Sequence, residues 1–153
     1  MIKISDKSRC SACHACVIAC PKECIKMVSD DNGFLYPYID ESACVDCGAC
    51  NKACYFEDAP VTKSVQDILA VANLNDNIRL SSSSGGVFYA LAKEVIENGG
   101  VVFGAAFDEQ FNVIHRSVER IEDIYLLQGS KYVQSVVGDC IKRVKELLKS
   151  KTE

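Results

Sequence analysis

Cys10-Ser11-Ala12-Cys13-His14-Ala15-Cys16-Val17-Ile18-Ala19-Cys20-Pro21 is answered further along by Cys44-Val45-Asp46-Cys47-Gly48-Ala49-Cys50-Asn51-Lys52-Ala53-Cys54. The two runs lie 34 residues apart and share all four cysteines, together with Ala15/Ala49 and Ala19/Ala53. Each reads C-x-x-C-x-x-C-x-x-x-C, the spacing that binds two 4Fe–4S clusters, with the fourth cysteine of one run serving the other cluster. Three thiolates at intervals of three can wrap three corners of one cubane from a single loop. The fourth then points away down the following turn. One cluster is expected on Cys10, Cys13, Cys16 and Cys54, and the other on Cys44, Cys47, Cys50 and Cys20. Pro21 ends the first loop as a turn-setter; Tyr55 stands at the matching position of the second.

Two other uses of cysteine compete with this one. Disulfides need an oxidising compartment, and Met1 leads directly into Ile2-Lys3-Ile4 with no export signal. Zinc also takes C-x-x-C pairs, but in separated pairs rather than in two runs of four. The pattern is therefore that of a bacterial ferredoxin, and ten cysteines point to a reducing cytoplasm.

The chain has 153 residues, enough for one average domain or two small ones. Its 48 % apolar and 25 % charged content is ordinary for a globular protein. A net charge of −4 argues against nucleic acid as a partner. No apolar run approaches the roughly 20 residues of a membrane span.

The expected fold class is α+β: a two-cluster ferredoxin-like domain over residues 1–58, then a partial α/β domain over 59–153. In the first domain Ile2-Lys3-Ile4 reads as a short strand. Residues 24–28 and 34–39 read as a hairpin about the Asn32-Gly33 turn, with Pro37 marking the second strand as irregular. So small a unit buries little apolar surface, and cluster binding is expected to make up the deficit. Residues 59–68 read as a polar linker. Beyond it Ile68 to Ala72 reads as a buried strand and residues 73–80 as a polar loop. Val87, Leu91 and Val95 fall at helical spacing, and Asn98-Gly99-Gly100 stops that helix. Residues 101–107 and 112–118 read as strands, residues about 121–129 as a short helix, and Ile141, Val144 and Leu148 stripe a last helix.

Ser83-Ser84-Gly85-Gly86-Val87-Phe88, Gly99-Gly100-Val101-Val102-Phe103-Gly104 and Gly129-Ser130-Lys131-Tyr132-Val133-Gln134-Ser135 resemble the beta subunit of coenzyme F-420 hydrogenases and dehydrogenases. In that family a ferredoxin-type segment precedes a flavin-binding α/β domain. The resemblance implies FAD or another flavin near Ser83, Ser84, Gly85 and Gly86, where free N–H groups at a helix start suit an anion. Without the resemblance, the same Ser/Gly run also reads as a flexible linker. Lys131 would pair with the flavin phosphate or its N1 region, or stand as a surface lysine beside a turn. The implied partners are a hydrogenase or dehydrogenase subunit, or another redox protein, and a deazaflavin coenzyme. Family members continue after the last helix, so the chain reads as a shortened form, with an open sheet edge that invites a homodimer. The rival reading is a ferredoxin carrier module with a flavin-free docking domain.

No acid–base pair or nucleophile stands out, so any catalysis belongs to the cofactors. Cys24 and Cys140 read as packed thiols and His115 as an ordinary strand residue. His14, in the slot that Gly48 fills in the other run, is either a loop histidine or a donor to a cluster sulfur.

Overall fold

A computed structural model describes residue 2 and residues 6–56 and 67–150. The expected strand at Ile2-Lys3-Ile4 and most of the linker lie outside them. The chain is α+β and divides into two compact units, Met1–Lys63 with Ile141–Glu153, and Ser64–Cys140.

In the first unit the two cysteine runs carry short helices, α1 (Ala15–Ala19) and α2 (Ala49–Lys52), which pack on each other. Between them lies a hairpin of β1 (Ile25–Ser29) and β2 (Leu35–Ile39), antiparallel, with Ile25 opposite Ile39 and Met27 opposite Pro37. The turn is drawn together by Asp30, whose carboxylate accepts the N–H of Asn32 and of Phe34, both at 3.0 Å, while Gly33 takes φ +84°. Partial burial pushes the Asp30 carboxyl up, but those N–H donors and Lys7 hold it below its ordinary value. This contribution is present above the usual carboxylate range and fades as pH falls through the lowered value.

The core of this unit is made largely of sulfur. Its buried members are Ile2, Cys16, Cys24, Ile25 and Cys50, flanked by Val17, Cys20, Ile39, Cys44 and Cys54.

The second unit holds α3 (Asp76–Leu80), α4 (Val87–Glu97), β3 (Val102–Phe107) and β4 (Val113–Val118). Asn75 caps α3 by accepting from the N–H groups of Asn77 and Ile78. The end of α4 is the stop expected from Asn98-Gly99-Gly100. Gly100 N–H donates to Val95 O at 2.8 Å and Gly99 N–H to Ile96 O at 2.9 Å, with Gly99 at φ +72°, a Schellman motif.

Strands β3 and β4 form an antiparallel hairpin with Val102 opposite Val118. Its turn repeats the device of the first: Asp108 accepts from Gln110 and Asn112, and Phe111 takes the left-handed place that Gly33 has in the other. Ala106, Val118 and Leu127 form the core, with Ile96, Val102 and Leu126 around them. Ile124, in the 3-10 helix Ile121–Leu126, is wholly buried.

Two expectations for this half are corrected. Ile68 to Ala72 is not a buried strand: it forms no ladder, and Ile68 and Leu69 are 89 % and 79 % exposed. Apolar composition marks a segment suited to burial, but a strand also needs a neighbour's N–H and C=O groups. Among the described residues none supplies them; the segment is held only at its end, where Asn73 N–H donates to Gly85 O at 2.6 Å. The loop expected at 73–80 contains α3. Beyond β4 a single parallel bridge joins Ile114 to Val136, and α5 (Cys140–Ser150) is an amphipathic helix with no buried residue.

Candidate iron–sulfur centres

The repeat in the sequence is repeated in the backbone. Ala12 and its counterpart Asp46 take φ +50° and +48°, and His14 and Gly48 take φ +61° and +74°. Left-handed residues cost non-glycine side chains roughly 1 kcal/mol or more. Three of these four are not glycine, so the conformation is imposed. Left-handed residues of this kind occur in the backbone nests that bind anions at iron–sulfur sites.

Burial follows the same pseudo-symmetry. Cys13 and Cys47 are exposed, Cys16 and Cys50 are buried, and Cys10, Cys44, Cys20 and Cys54 are intermediate.

Two cavities result. Cys10, Cys13 and Cys16 line the first together with Cys54 from the other run. Cys44, Cys47 and Cys50 line the second together with Cys20. Among the described residues no three His, Cys, Asp or Glu side chains converge on a position for a single ion.

The electrostatics suit a cationic core. Burial pushes the Cys16 thiol up to about 11, so a thiolate there needs positive charge beside it, and iron supplies that when bound. The Cys20 thiol is shifted the other way: burial would raise it, but hydrogen bonds from Cys24 and the N–H groups of Lys22 and Glu23 outweigh that and hold it low. The N–H of Ile2 reaches Cys50 Sγ at 3.3 Å. The donor set therefore fits a 4Fe–4S cluster in each cavity.

Residues 9–57 match the 4Fe-4S dicluster domain. No curated protein matches the chain. The matched span covers both cysteine runs, so the ferredoxin-type character of this segment stands on the family model as well as on spacing. An iron–sulfur electron-transfer role goes with it.

Some residues of the dicluster domain escape a reading of spacing alone. Arg9 donates to Phe56 O at 2.7 Å, tying the start of the first run to the end of the second beside the first cavity. Cys24 lines the second cavity, with its Sγ 3.3 Å from Cys20 Sγ. The hydrogen bond with Cys20, and then burial, push its thiol up to about 11. Its position four residues after Cys20 signals packing, which is correct, but not contact. His14 lines the first cavity as the N-cap of α1.

In the second unit Ser83, Ser84, Gly85 and Gly86 line a third cavity at the start of α4, opposite Gly129 and Ser130. The hydroxyl of Ser83 accepts from Ser130 N–H at 2.9 Å. Gly85 is required by the chain itself, since a Cβ there would lie 2.5 Å from Val71 O. Lys131 lies outside that lining; its ammonium donates to Leu127 O and Gln128 O at 3.2 and 2.7 Å. His115, on β4, contacts Ser135 Oγ through Nδ1 at 2.8 Å. Cys140 is half-buried at the start of α5. Among the described residues no helix is long and apolar enough to cross a membrane.

Proposed function

We propose that the chain is a two-cluster electron relay, with Cys10, Cys13, Cys16 and Cys54 holding one 4Fe–4S cluster and Cys44, Cys47, Cys50 and Cys20 the other. The single observation that carries this is the lining of each cavity by three cysteines of one run and the last cysteine of the other. A bound cluster supplies one-electron chemistry. The protein's part is to hold and tune it. Buried Cys16 and Cys50 anchor each site in the core, and the Ile2 N–H that reaches Cys50 Sγ is a donor of the kind that favours the more negative, reduced state. Exposed Cys13 and Cys47 bring one edge of each site to the surface, where a redox partner can approach.

Anaerobic purification tests this. About eight irons and eight sulfides per chain are expected, with a brown colour and a paramagnetic signal on reduction. Colourless protein carrying zinc would overturn the assignment.

A finer reading follows the resemblance to coenzyme F-420 hydrogenase and dehydrogenase beta subunits: the second unit takes a flavin and the relay serves a hydride exchange with a deazaflavin. The cavity lined by Ser83, Ser84, Gly85 and Gly86 favours it, because α4 begins there at Gly86, a residue with no capping side chain. Lys131 would join only after leaving its two carbonyls. Titration with FAD should quench flavin fluorescence saturably, and Gly86→Val should abolish the quenching, because a side chain at φ +76° is strained there. Linear quenching without saturation would leave the relay with a flavin-free docking domain.

A further inference from the structure

The second cavity is lined by five cysteines and the first by four. A 4Fe–4S cluster takes four thiolates, so one thiol of the second site is left over. That thiol is Cys24, which is 7 % exposed and belongs to the same buried cluster as Cys16 and Cys50. Its Sγ lies 3.3 Å from Cys20 Sγ. This is far beyond the roughly 2.05 Å of a disulfide and within hydrogen-bonding reach of sulfur.

We propose that Cys24 donates an S–H···S hydrogen bond to the Cys20 thiolate and thereby raises the reduction potential of the second cluster relative to the first. The inference rests on Cys20 being a ligand of that cluster, as argued above. The direction of the bond follows from ligation: iron takes the Cys20 proton, which leaves Cys24 with the only S–H of the pair. A donor to a ligand sulfur stabilises the reduced, more negative state, and such hydrogen bonds are among the determinants of cluster potential. S–H is a weak donor, but Cys24 is buried, so little water competes for its proton. The thirty-fourth residue on from Cys24 is Asp58, so the repeat brings no second such thiol. Cys24 is a positioning and tuning residue, and it makes two otherwise similar sites unequal.

The full chain, reconstituted anaerobically with iron and sulfide, is titrated electrochemically with reduction followed by electron paramagnetic resonance. Wild type, Cys24→Ala and Cys24→Ser are compared. All three should take up about eight irons. In Cys24→Ala one potential should fall and the other stay. At fixed ambient potential the reduced-to-oxidised ratio of the affected cluster should drop roughly three- to tenfold, up to ~59 mV for a one-electron couple. Cys24→Ser keeps a donor and should fall less. Unmoved potentials in Cys24→Ala would overturn the proposal. So would an equal fall in both variants, or loss of half the iron in Cys24→Ala, which would make the residue structural or a ligand. Failure of the wild type to take two clusters would instead refute the ligation on which the inference stands.

Discussion

Removing iron with a chelator under anaerobic conditions unfolds residues 6–56 and leaves residues 67–140 folded. The reason lies in what the first unit has for a core. Among the described residues, three of the five members of its buried cluster are cysteines, Cys16, Cys24 and Cys50, beside Ile2 and Ile25. So small an aliphatic core does not by itself offset the ordering of the segment, and cluster ligation supplies the difference. The left-handed backbone at Ala12, His14 and Asp46 adds strain that this core must offset. Amide exchange read by mass spectrometry should show protection vanishing from β1 and β2 on chelation. Protection should persist in β3, β4 and α4, whose core of Ala106, Val118 and Leu127 contains no sulfur. Near-native circular dichroism together with retained protection in β1 and β2 would contradict the expectation.

The second large effect concerns the crossing of ligands between runs. Replacing Cys10, Cys54 or Cys20 singly with alanine should each leave about four of eight irons. The double variants then separate the topologies, because changes at one site should not add, whereas changes at two should. Cys10→Ala with Cys54→Ala should still hold about four irons, since both residues serve the first cavity. Cys10→Ala with Cys20→Ala should hold almost none. Runs that each kept their own cluster would give the reverse pattern, and iron analysis of the five variants decides it.

Both expectations draw on features with different origins. The ladder from Cys10 to Cys54 was readable from residue order, because cluster ligation is a local, covalently spaced pattern that few other chemistries share. The helix stop at Asn98-Gly99-Gly100 and the turn at Asn32-Gly33 were equally readable, since both depend on the left-handed freedom of a single glycine. Ile68 to Ala72 misled for the opposite reason. Its composition is that of a buried strand, but composition names no pairing partner, and the segment runs exposed. Phe111 shows the same limit at a turn: its left-handed conformation follows from the Asp108 hydrogen bonds and not from its own preference.

Sequence alone determined the iron–sulfur character of the first segment, the spacing of its cysteines and the two-fold repeat, because these are properties of residue type and spacing. Only the tertiary structure decided that Cys24 stands against Cys20, that Cys13 and Cys47 face outward while Cys16 and Cys50 are enclosed, and that the Lys131 ammonium is held by two carbonyls. Such facts depend on how segments distant along the chain approach one another, and proximity in space is set by packing of the whole unit, which no local pattern records.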